Sequence, residues 1–553
     1  MVAILLVATI FAWHELGAHE VLGRDENATI TKLDQPDLLT VLQVTGIKVT
    51  GQPGNMQPFY FLSQYAAWPL VGRSAFMLRF LPSLFGLLAI ALTYKLGEAL
   101  WSREVGLVGA LLTSVLPLHV SYSQIARPYT LLVVFSLASA FFLVQGLKTN
   151  RACFWVGYVL TAALGFYTHY NALMVLATEA LSAGIVWLVA IPAVVRGQRS
   201  SKWLVRPALG FLSLAILCAP SFIRLVGLAG SEPSSQIALE LTLLSLNSFM
   251  YTSGLTARWY RYLILGLMAL GMAASLYARR WRPALLAALW LTVPALILGM
   301  IPSPRPFEER YLIFLPPVAL LLAGLGVTSL ARLLGRLGRF RGGTSLRWVA
   351  LVALTAGLAL VLVAPLRRQY ALNRAANRID QTLQVVKGHA GPGDIVIISP
   401  RFFVEPLNVE GATVLYLTEH LTPAEFDELV SEHGRTWVLY SSYLPPVELQ
   451  EPLDRWLQTR PDQFVRVPIK SVSAVAYHNH ALADPEARLQ DRIVVLEDLA
   501  EVSEYKYEAW VRYGVLAEAY QSLSDFYHER GESALAAELQ LKALEARQAA
   551  PQP

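Results

Sequence analysis

The sequence predicts a polytopic α-helical membrane protein of about 11 spans, followed by an extracytoplasmic α/β domain and a helical, tetratricopeptide-like C-terminal tail. The first observation behind this prediction is composition. Of the 553 residues 55% are hydrophobic and 15% are charged, whereas soluble domains carry about 25% charged residues. The second is the recurrence of apolar runs of about 18–22 residues, long enough to cross the hydrocarbon core as helix. The third is a change of pattern beyond residue 367, where strand-like and helix-like segments alternate.

Eleven apolar runs are candidates for spans. They begin near residues 2, 76, 104, 128, 152, 171, 203, 260, 282, 311 and 347. The run at residue 2 lacks the basic start and the A-x-A site of a signal peptide, so we interpret it as a retained first span. The two cysteines, Cys153 and Cys218, lie inside apolar runs. Neither a disulfide framework nor a metal site is predicted from them.

Basic residues give the spans an orientation, because loops rich in Lys and Arg stay on the cytoplasmic side. Basic clusters follow the even-numbered spans, among them Lys148 with Arg151, and Arg279, Arg280 and Arg282. The complementary segments 15–75, 121–128, 167–171, 228–258 and 302–310 are then predicted to face outward. With eleven spans, the C-terminal region also lies outside a cytoplasmic membrane.

Three regions follow from these patterns. Residues 1–366 form a transmembrane domain with a long first outer loop, 15–75, whose amphipathic segments are typical of helices on a bilayer surface. Residues 367–482 are predicted to form the α/β domain, with DIVIIS, TVLYLT and TWVLYSS as buried strands and LTPAEFDELVSEHG as a helix. Residues 483–553 are predicted to form the helical tail.

The tail resembles a single tetratricopeptide-type helix pair. One such unit cannot bury its own hydrophobic face, so it must pack on a neighbour or on a protein partner. A plain amphipathic helix pair explains the same pattern equally well. The residues that carry the resemblance are Tyr520, Leu523, Tyr527, Gly531, Ala536 and Ala543.

Charged residues at the predicted outer face are candidates for function, because charges at a membrane edge are costly. Asp25 and Glu26 follow the first span, Arg127 lies in the seam between the third and fourth spans (residues 121–128), His169 follows the fifth, and Glu309 and Arg310 precede the tenth. Each also has a structural explanation. Arginines at span ends are often snorkelling anchors, histidines beside tyrosines belong to interfacial aromatic belts, and an acidic pair in a loop is usually solvated surface.

Six segments in order resemble the superfamily of dolichyl-phosphate-mannose protein mannosyltransferases and aminoarabinose transferases, membrane enzymes of the C-type glycosyltransferase fold. The resemblance covers residues 1 to about 366. The segments are RDE at 24–26, MQPFYF at 56–61, LRFLPSLFGLLAI at 78–90, YSQIARPY at 122–129, YTHYNAL at 167–173 and ERYLIFLPP at 309–317.

The resemblance implies transfer of a sugar, with inversion, from a polyprenyl-phosphate donor to an acceptor at the outer face. Asp25, with Glu26 beside it, would be the catalytic base that accepts the proton of an acceptor hydroxyl. A cation aimed at the leaving phosphate would stabilise the transition state. The residues implied for the donor phosphate are Arg127, Arg310 and His169, and those implied for other substrate contacts are Tyr60, Gln124, Tyr129, Tyr170 and Tyr311.

Three departures from the family pattern bear on this reading. The motif histidine falls on Met56, the first motif proline on Gln57, and the acid of the seam motif on Ile125. A metal site built from those positions would lose a ligand, so no metal or other cofactor is predicted, and a divalent metal is left open as an alternative. Either the donor binds in a different geometry or the enzyme is weakened.

Two other functions fit parts of the sequence. A transporter or flippase of lipid-linked sugars would place charged or Gly/Pro-broken residues deep in several spans, and Glu179 is the main example here. A non-catalytic scaffold in envelope-glycan assembly would use the tail, residues 483–553, to bind a protein. The sequence identifies neither the sugar nor whether the acceptor is a lipid, a glycan or a protein, and no nucleic-acid partner is expected.

Overall fold

The computed structural model contains a helical membrane unit and a smaller α/β unit. It describes residues 1–17, 24–33, 35–45, 57–72, 74–198, 200–229, 258–300, 309–337, 343–376, 379–399, 409–417, 421–441, 453, 455–457, 459–460, 464–470, 473–479, 481–502 and 506–550. By contacts the chain divides into Met1–Ala18 with Ala28–Ala371, and His19–Asn27 with Leu372–Pro553.

Up to Ala376 the described secondary structure is helical, and all of it belongs to the membrane unit except Arg24–Asn27 and Leu372–Ala376, which group with the α/β unit. In chain order the helices are α1 (Val2–Trp13), α2 (Arg24–Leu33), α3 (Leu38–Thr45), α4 (Pro58–Val71), α5 (Ala75–Leu100), α6 (Arg103–Ser114), α7 (Pro117–Ser123), α8 (Tyr129–Thr149), α9 (Ala152–Thr168), α10 (Ala172–Val195), α11 (Lys202–Ala229), α12 (Arg258–Tyr277), α13 (Trp281–Met300), a 3-10 turn (Glu309–Leu312), α14 (Leu315–Leu337) and α15 (Gly343–Ala376).

Every predicted span coincides with one of these helices. Within the described residues, seven helices are long and apolar enough to cross a membrane, or eight if α6 and α7 are one bent span. Val2–Trp13, Ala152–Thr168 and Tyr262–Tyr277 are shorter apolar helices. The protein is therefore a multi-pass membrane protein, and the count of eleven stays a prediction.

A break between α6 and α7 redirects the chain just before the seam. Pro117 is the first residue of α7, where its missing N–H costs nothing, and the axes of the two helices differ by 64°. The Ser123 hydroxyl donates to the His119 carbonyl at 2.6 Å, and the His119 ring donates from Nε2 to the Gly86 carbonyl at 3.1 Å. A Cβ at Gly86 would overlap the Ser123 side chain. Close packing on α5 thus holds the short helix in its bent position.

The α/β unit contains one five-stranded sheet of order β2-β1-β3-β5-β4. The strands are β1 (Ile395–Ser399), β2 (Thr413–Tyr416), β3 (Arg435–Ser441), β4 (Val465–Lys470) and β5 (Ser473–Asn479). β2, β1 and β3 pair in parallel, and β5 pairs antiparallel with both β3 and β4. The first three strands coincide with the predicted ones. The antiparallel pair β4–β5 was not predicted.

Helices cover both faces of this sheet. The remaining helices are α16 (Ile379–His389), α17 (Pro423–Ser431), α18 (Pro485–Glu501), α19 (Lys506–Glu529) and α20 (Ser533–Ala549). One face, with Val396 and Leu439, shares a hydrophobic core with α16 and the tail helices. The other face, with Ile397 and Val438, packs on Phe426 of α17 and on Trp456. Both faces are buried, which explains why β1 and β3 are almost uniformly apolar.

Candidate functional site

The seam is tied to the end of the first helix. The Nε2 atom of Gln124 donates to the carbonyl oxygens of Phe11, Ala12 and His14, at 3.3, 3.2 and 2.7 Å respectively. These carbonyls belong to the last turn of α1 and its exit, where helical partners are missing. Gln124 was predicted to contact substrate. In the structure its amide donors cap α1, so it fixes the seam against the start of the first outer loop.

Two arginines approach the ring of Tyr129. The Cζ atoms of Arg127 and Arg310 each lie 5.9 Å from the ring centroid, within the range of cation–π attraction. The two guanidinium carbons are therefore no more than about 12 Å apart. The His169 ring lies 5.8 Å from the Tyr129 ring, and Tyr122 packs edge-on at 5.1 Å. All three residues predicted for the donor phosphate meet around Tyr129, although they come from segments far apart in sequence.

His169 is held neutral in this cluster. Its Nδ1 atom accepts a hydrogen bond from the backbone N–H of Asn171 at 3.1 Å. The ring's own N–H is therefore on Nε2 when the ring is neutral. Burial first, and then the charges of Arg127 and Arg310, lower the pKa of His169 to about 3. His169 therefore acts as a neutral hydrogen-bonding ring and not as a third cation.

Asn171 also fixes the segment that carries Arg310. Its Nδ2 atom donates to the Tyr311 carbonyl at 3.2 Å. Tyr311 follows Arg310 in the 3-10 turn, so this bond connects the turn after α9 to the turn before α14. Tyr311 was predicted to contact substrate, and the structure assigns a role here to its backbone.

Two further cations belong to the same neighbourhood, and they were not among the residues predicted from the sequence. Lys32, in α2, donates from Nζ to the Val44 carbonyl at 2.9 Å. Burial, then the charges of Arg127 and Arg224, lower the pKa of Lys32. Arg224, near the end of α11, donates to the Thr45 carbonyl at 3.4 Å. Arg224 could have been identified from the sequence as a charge within an apolar helix. For Lys32 the sequence offers only its position in the outer loop.

Gln57 is paired with Ser221. Its side-chain amide exchanges two hydrogen bonds with the Ser221 hydroxyl, at 2.6 and 3.0 Å, and it is 3% exposed. Within the described part of the chain, no three His, Cys, Asp or Glu side chains form a group that could hold a metal ion. Met56 lies outside the described residues. The donor set that the family motif would supply is therefore replaced at Gln57 by a closed amide–hydroxyl pair.

Tyr170 lies beside that pair. Burial raises the pKa of Tyr170, while Arg224 and the Ser221 hydroxyl act in the opposite direction. Tyr60, from α4, is fully buried, and its hydroxyl accepts a hydrogen bond from Gln64 at 2.9 Å. Tyr170 is thus placed near the cationic cluster.

The predicted base lies in the first turn of α2. The side chain of Asp25 lies outside the described residues, as does that of Glu309, and Glu26 is 5% exposed. One turn further along α2, the Thr29 hydroxyl donates to the Ala126 carbonyl at 2.9 Å. Thr29 thus fixes the second turn of α2 at the residue that precedes Arg127.

Comparison with known proteins supports the resemblance. Residues 55–223 match the family described as dolichyl-phosphate-mannose-protein mannosyltransferase. Among solved structures, ArnT from Cupriavidus metallidurans in the apo state is similar with a TM-score of 0.54 at 14% identity, over 88% of this chain and 98% of that one. The same protein bound to undecaprenyl phosphate gives 0.52 at 15% identity, over 88% and 99%. A search of curated protein sequences gives no match. The C-type glycosyltransferase fold is thereby confirmed.

Proposed function

We propose that the protein is an integral-membrane glycosyltransferase that moves a sugar from a polyprenyl-phosphate donor to an acceptor. The observation that carries the proposal is the cluster around Tyr129, where Arg127 and Arg310 approach one buried ring beside a neutral histidine. Grouped positive charges with aromatic and neutral neighbours attract a phosphate strongly, because a partly desolvated site screens charge less than water does.

The residues suit the reaction as follows. An acceptor hydroxyl oxygen attacks the anomeric carbon as the bond from that carbon to the phosphate oxygen breaks, so the configuration inverts. The phosphate departs with the electron pair, and Arg127 and Arg310 stabilise its growing negative charge. The acceptor proton passes to a carboxylate, for which we propose Asp25, with Glu26 beside it.

A lipid phosphate as donor rests on the chemistry of the cluster together with the fold. A similar fold in another protein, ArnT, has been solved with undecaprenyl phosphate bound. In this chain the clustered cations lie where apolar helices α8 and α14 begin. A donor with its tail in lipid could therefore present its phosphate to them.

We propose the cytoplasmic membrane as the location, with the cluster and the C-terminal unit on the outer side. Basic loops after the even-numbered spans support this orientation. The α/β unit would then lie on the side where the acceptor arrives, and its role would be to bind or guide a lipid, glycan or protein acceptor.

The proposal is tested by following sugar transfer from radiolabelled polyprenyl-phosphate sugars to a crude envelope acceptor fraction, with the full chain purified in detergent. We expect Asp25→Asn to reduce kcat by at least 100-fold with donor affinity unchanged, since only the base is lost. Arg127→Ala is expected to weaken donor binding and slow transfer by about 100-fold. Asp37→Asn in the same outer loop and Arg196→Ala, both at exposed positions, are the matched controls and should retain wild-type rates.

Each outcome separates the proposed functions. Transfer that survives both site substitutions would reject the site. Donor binding without transfer, unaffected by Asp25→Asn, would favour a scaffold. Donor movement across proteoliposome membranes without hydrolysis or transfer would favour a flippase.

A further inference from the structure

A cavity lies at the C-terminal end of α8, the end remote from Tyr129. It has a volume of about 150 Å³ and is enclosed by α5, α8, α10 and α13. Its wall is almost wholly apolar and includes Leu143, Val144, Val186 and Leu286. An apolar cavity of this volume can hold a benzene-sized molecule, which is equivalent to a short segment of an acyl chain.

Basic side chains surround the cavity, and none of its ten lining residues is acidic. Lys148 and Arg282 are the two charged lining residues. Lys148 donates to the Ala99 carbonyl, and Arg280 donates to the Trp101 carbonyl at 2.6 Å. These carbonyls end α5, where the helix dipole favours cations. Lys148 is exposed, so its other donor hydrogens can reach a ligand at the rim.

We propose that this cavity binds an anionic diacyl phospholipid, with one acyl chain in the apolar cavity and the phosphodiester between Lys148 and Arg282. An almost wholly apolar wall, to which Ser182 adds one hydroxyl, and a rim with two cations match the two parts of such a lipid. Basic pockets between membrane helices on the cytoplasmic side are suited to anionic headgroups, and Lys148 and Arg282 both lie in loops predicted to be cytoplasmic. A free phosphate would gain nothing from the apolar wall.

The cavity is separate from the cluster around Tyr129. Tyr129 and Lys148 are 19 residues apart at the two ends of α8, which corresponds to about 28 Å along the helix axis. A lipid bound here would therefore not occupy the proposed donor site, and the inference stands without the proposed glycosyl transfer.

The test uses native mass spectrometry and thermal unfolding of the delipidated full chain in a neutral detergent. Cardiolipin and phosphatidylglycerol are added separately, with phosphatidylcholine and inorganic phosphate as comparison ligands. We expect one tightly retained anionic lipid and a higher unfolding temperature, with at least tenfold weaker retention of phosphatidylcholine. Inorganic phosphate should produce neither effect.

Variants separate the rim from the wall. Lys148→Ala combined with Arg282→Ala should weaken retention of the anionic lipid at least tenfold, whereas the exposed Lys202→Ala should leave it unchanged. Val186→Phe fills the cavity and should weaken retention while both cations remain, which keeps the test decisive if the rim variant does not fold. Equal retention of phosphatidylcholine, competition by inorganic phosphate, or wild-type retention in Val186→Phe would each overturn the proposal.

Discussion

His169 is a neutral ring between positive charges. The groups that face it are the guanidinium groups of Arg127 and Arg310 and the ring of Tyr129, and its Nδ1 atom accepts the Asn171 amide hydrogen. A proton on the ring would break that hydrogen bond and add a third positive charge. The site therefore contains two positive side chains around Tyr129, and His169 does not add a third.

Acidification is expected to destabilise the protein through this residue. The ring has a pKa of about 3 when folded and about 6.5 when unfolded, so the unfolded chain binds more protons between these values. The stability contributed by the neutral ring is complete above pH 6.5 and is lost as the pH falls toward 3, by at most about 1.4 kcal/mol per pH unit. Thermal unfolding in detergent from pH 7 to pH 4 measures the loss.

His169→Asn keeps an acceptor near the Asn171 amide without a group that titrates in this range. We expect the variant to lose markedly less stability on acidification than the wild type. The exposed His528→Asn is the control and should follow the wild-type curve. Identical pH dependence of His169→Asn and wild type would contradict the assigned origin of the shift.

Helices α12 and α14 approach each other through two glycines. A Cβ at Gly326 would overlap the Leu267 carbonyl, and one at Gly271 would overlap the Leu322 carbonyl. In a membrane, where lipid is as apolar as leucine, such close backbone contact is a main source of helix association. Gly266, also in α12, has no neighbour that an added Cβ would meet within 4 Å.

Gly271 and Gly266 lie in the same helix but differ in packing, so alanine substitutions at the two positions form a matched pair of variants. Gly271→Ala should force the backbones apart and lower the free energy of unfolding by about 1–3 kcal/mol. Gly266→Ala should be neutral or slightly stabilising, because alanine favours the helix. Unfolding of each variant in detergent, followed by tryptophan fluorescence, measures the difference. Equal stability of the two variants would show that the helices do not pack in this way.

How far the site could be predicted depends on how each residue is placed. Arg127, His169 and Arg310 each lie at the end of an apolar run, so hydropathy sets their level in the membrane and the motifs identify them. Which residues lie beside them is decided by packing between distant helices, which the sequence does not show. Lys32 and Arg224 were missed for this reason, and the capping of α1 by Gln124 could not be anticipated.

The fold of the C-terminal unit shows the same limit. Apolar strands β1 and β3 are recognisable because both sheet faces are covered. Strand β4 contains Pro468 and shows a register shift beside it, and it lies at the sheet edge. Proline is tolerated at such an edge because no ladder hydrogen bond is required there, yet in the sequence it indicates a break.

The tail helices complete the C-terminal unit. Leu496 and Leu499 of α18 and Leu523 of α19 are buried in the core that also contains Val396 and Leu439 of the sheet. The hydrophobic face that one helix pair cannot bury alone is therefore covered by the sheet. Whether the pair also binds a protein partner stays a prediction.

Truncation of one buried leucine tests this joint core. Leu499→Ala should lower the free energy of unfolding of the unit by about 2–5 kcal/mol, because the residue is 1% exposed. Leu541→Ala on α20 changes a side chain that is 56% exposed and should have little effect. Limited proteolysis of the full chain, read by cleavage within residues 395–479, reports the loss. Unchanged protection of the sheet in Leu499→Ala would show that the tail folds independently of it.

The bend at Pro117 also shortens the distance that the chain advances along the axis of α6. Helix α7 has seven residues and is about 10 Å long, but at 64° to α6 it advances only about 5 Å along that axis. The end of α7, where the segment with Arg127 begins, consequently lies about 6 Å lower along that axis than an unbroken helix would place it. Drawing a lipid tail out of the bilayer costs about 0.8 kcal/mol for each exposed methylene. Under the proposed function, the broken helix would bring the cation toward the phosphate of a polyprenyl donor whose tail stays in the bilayer.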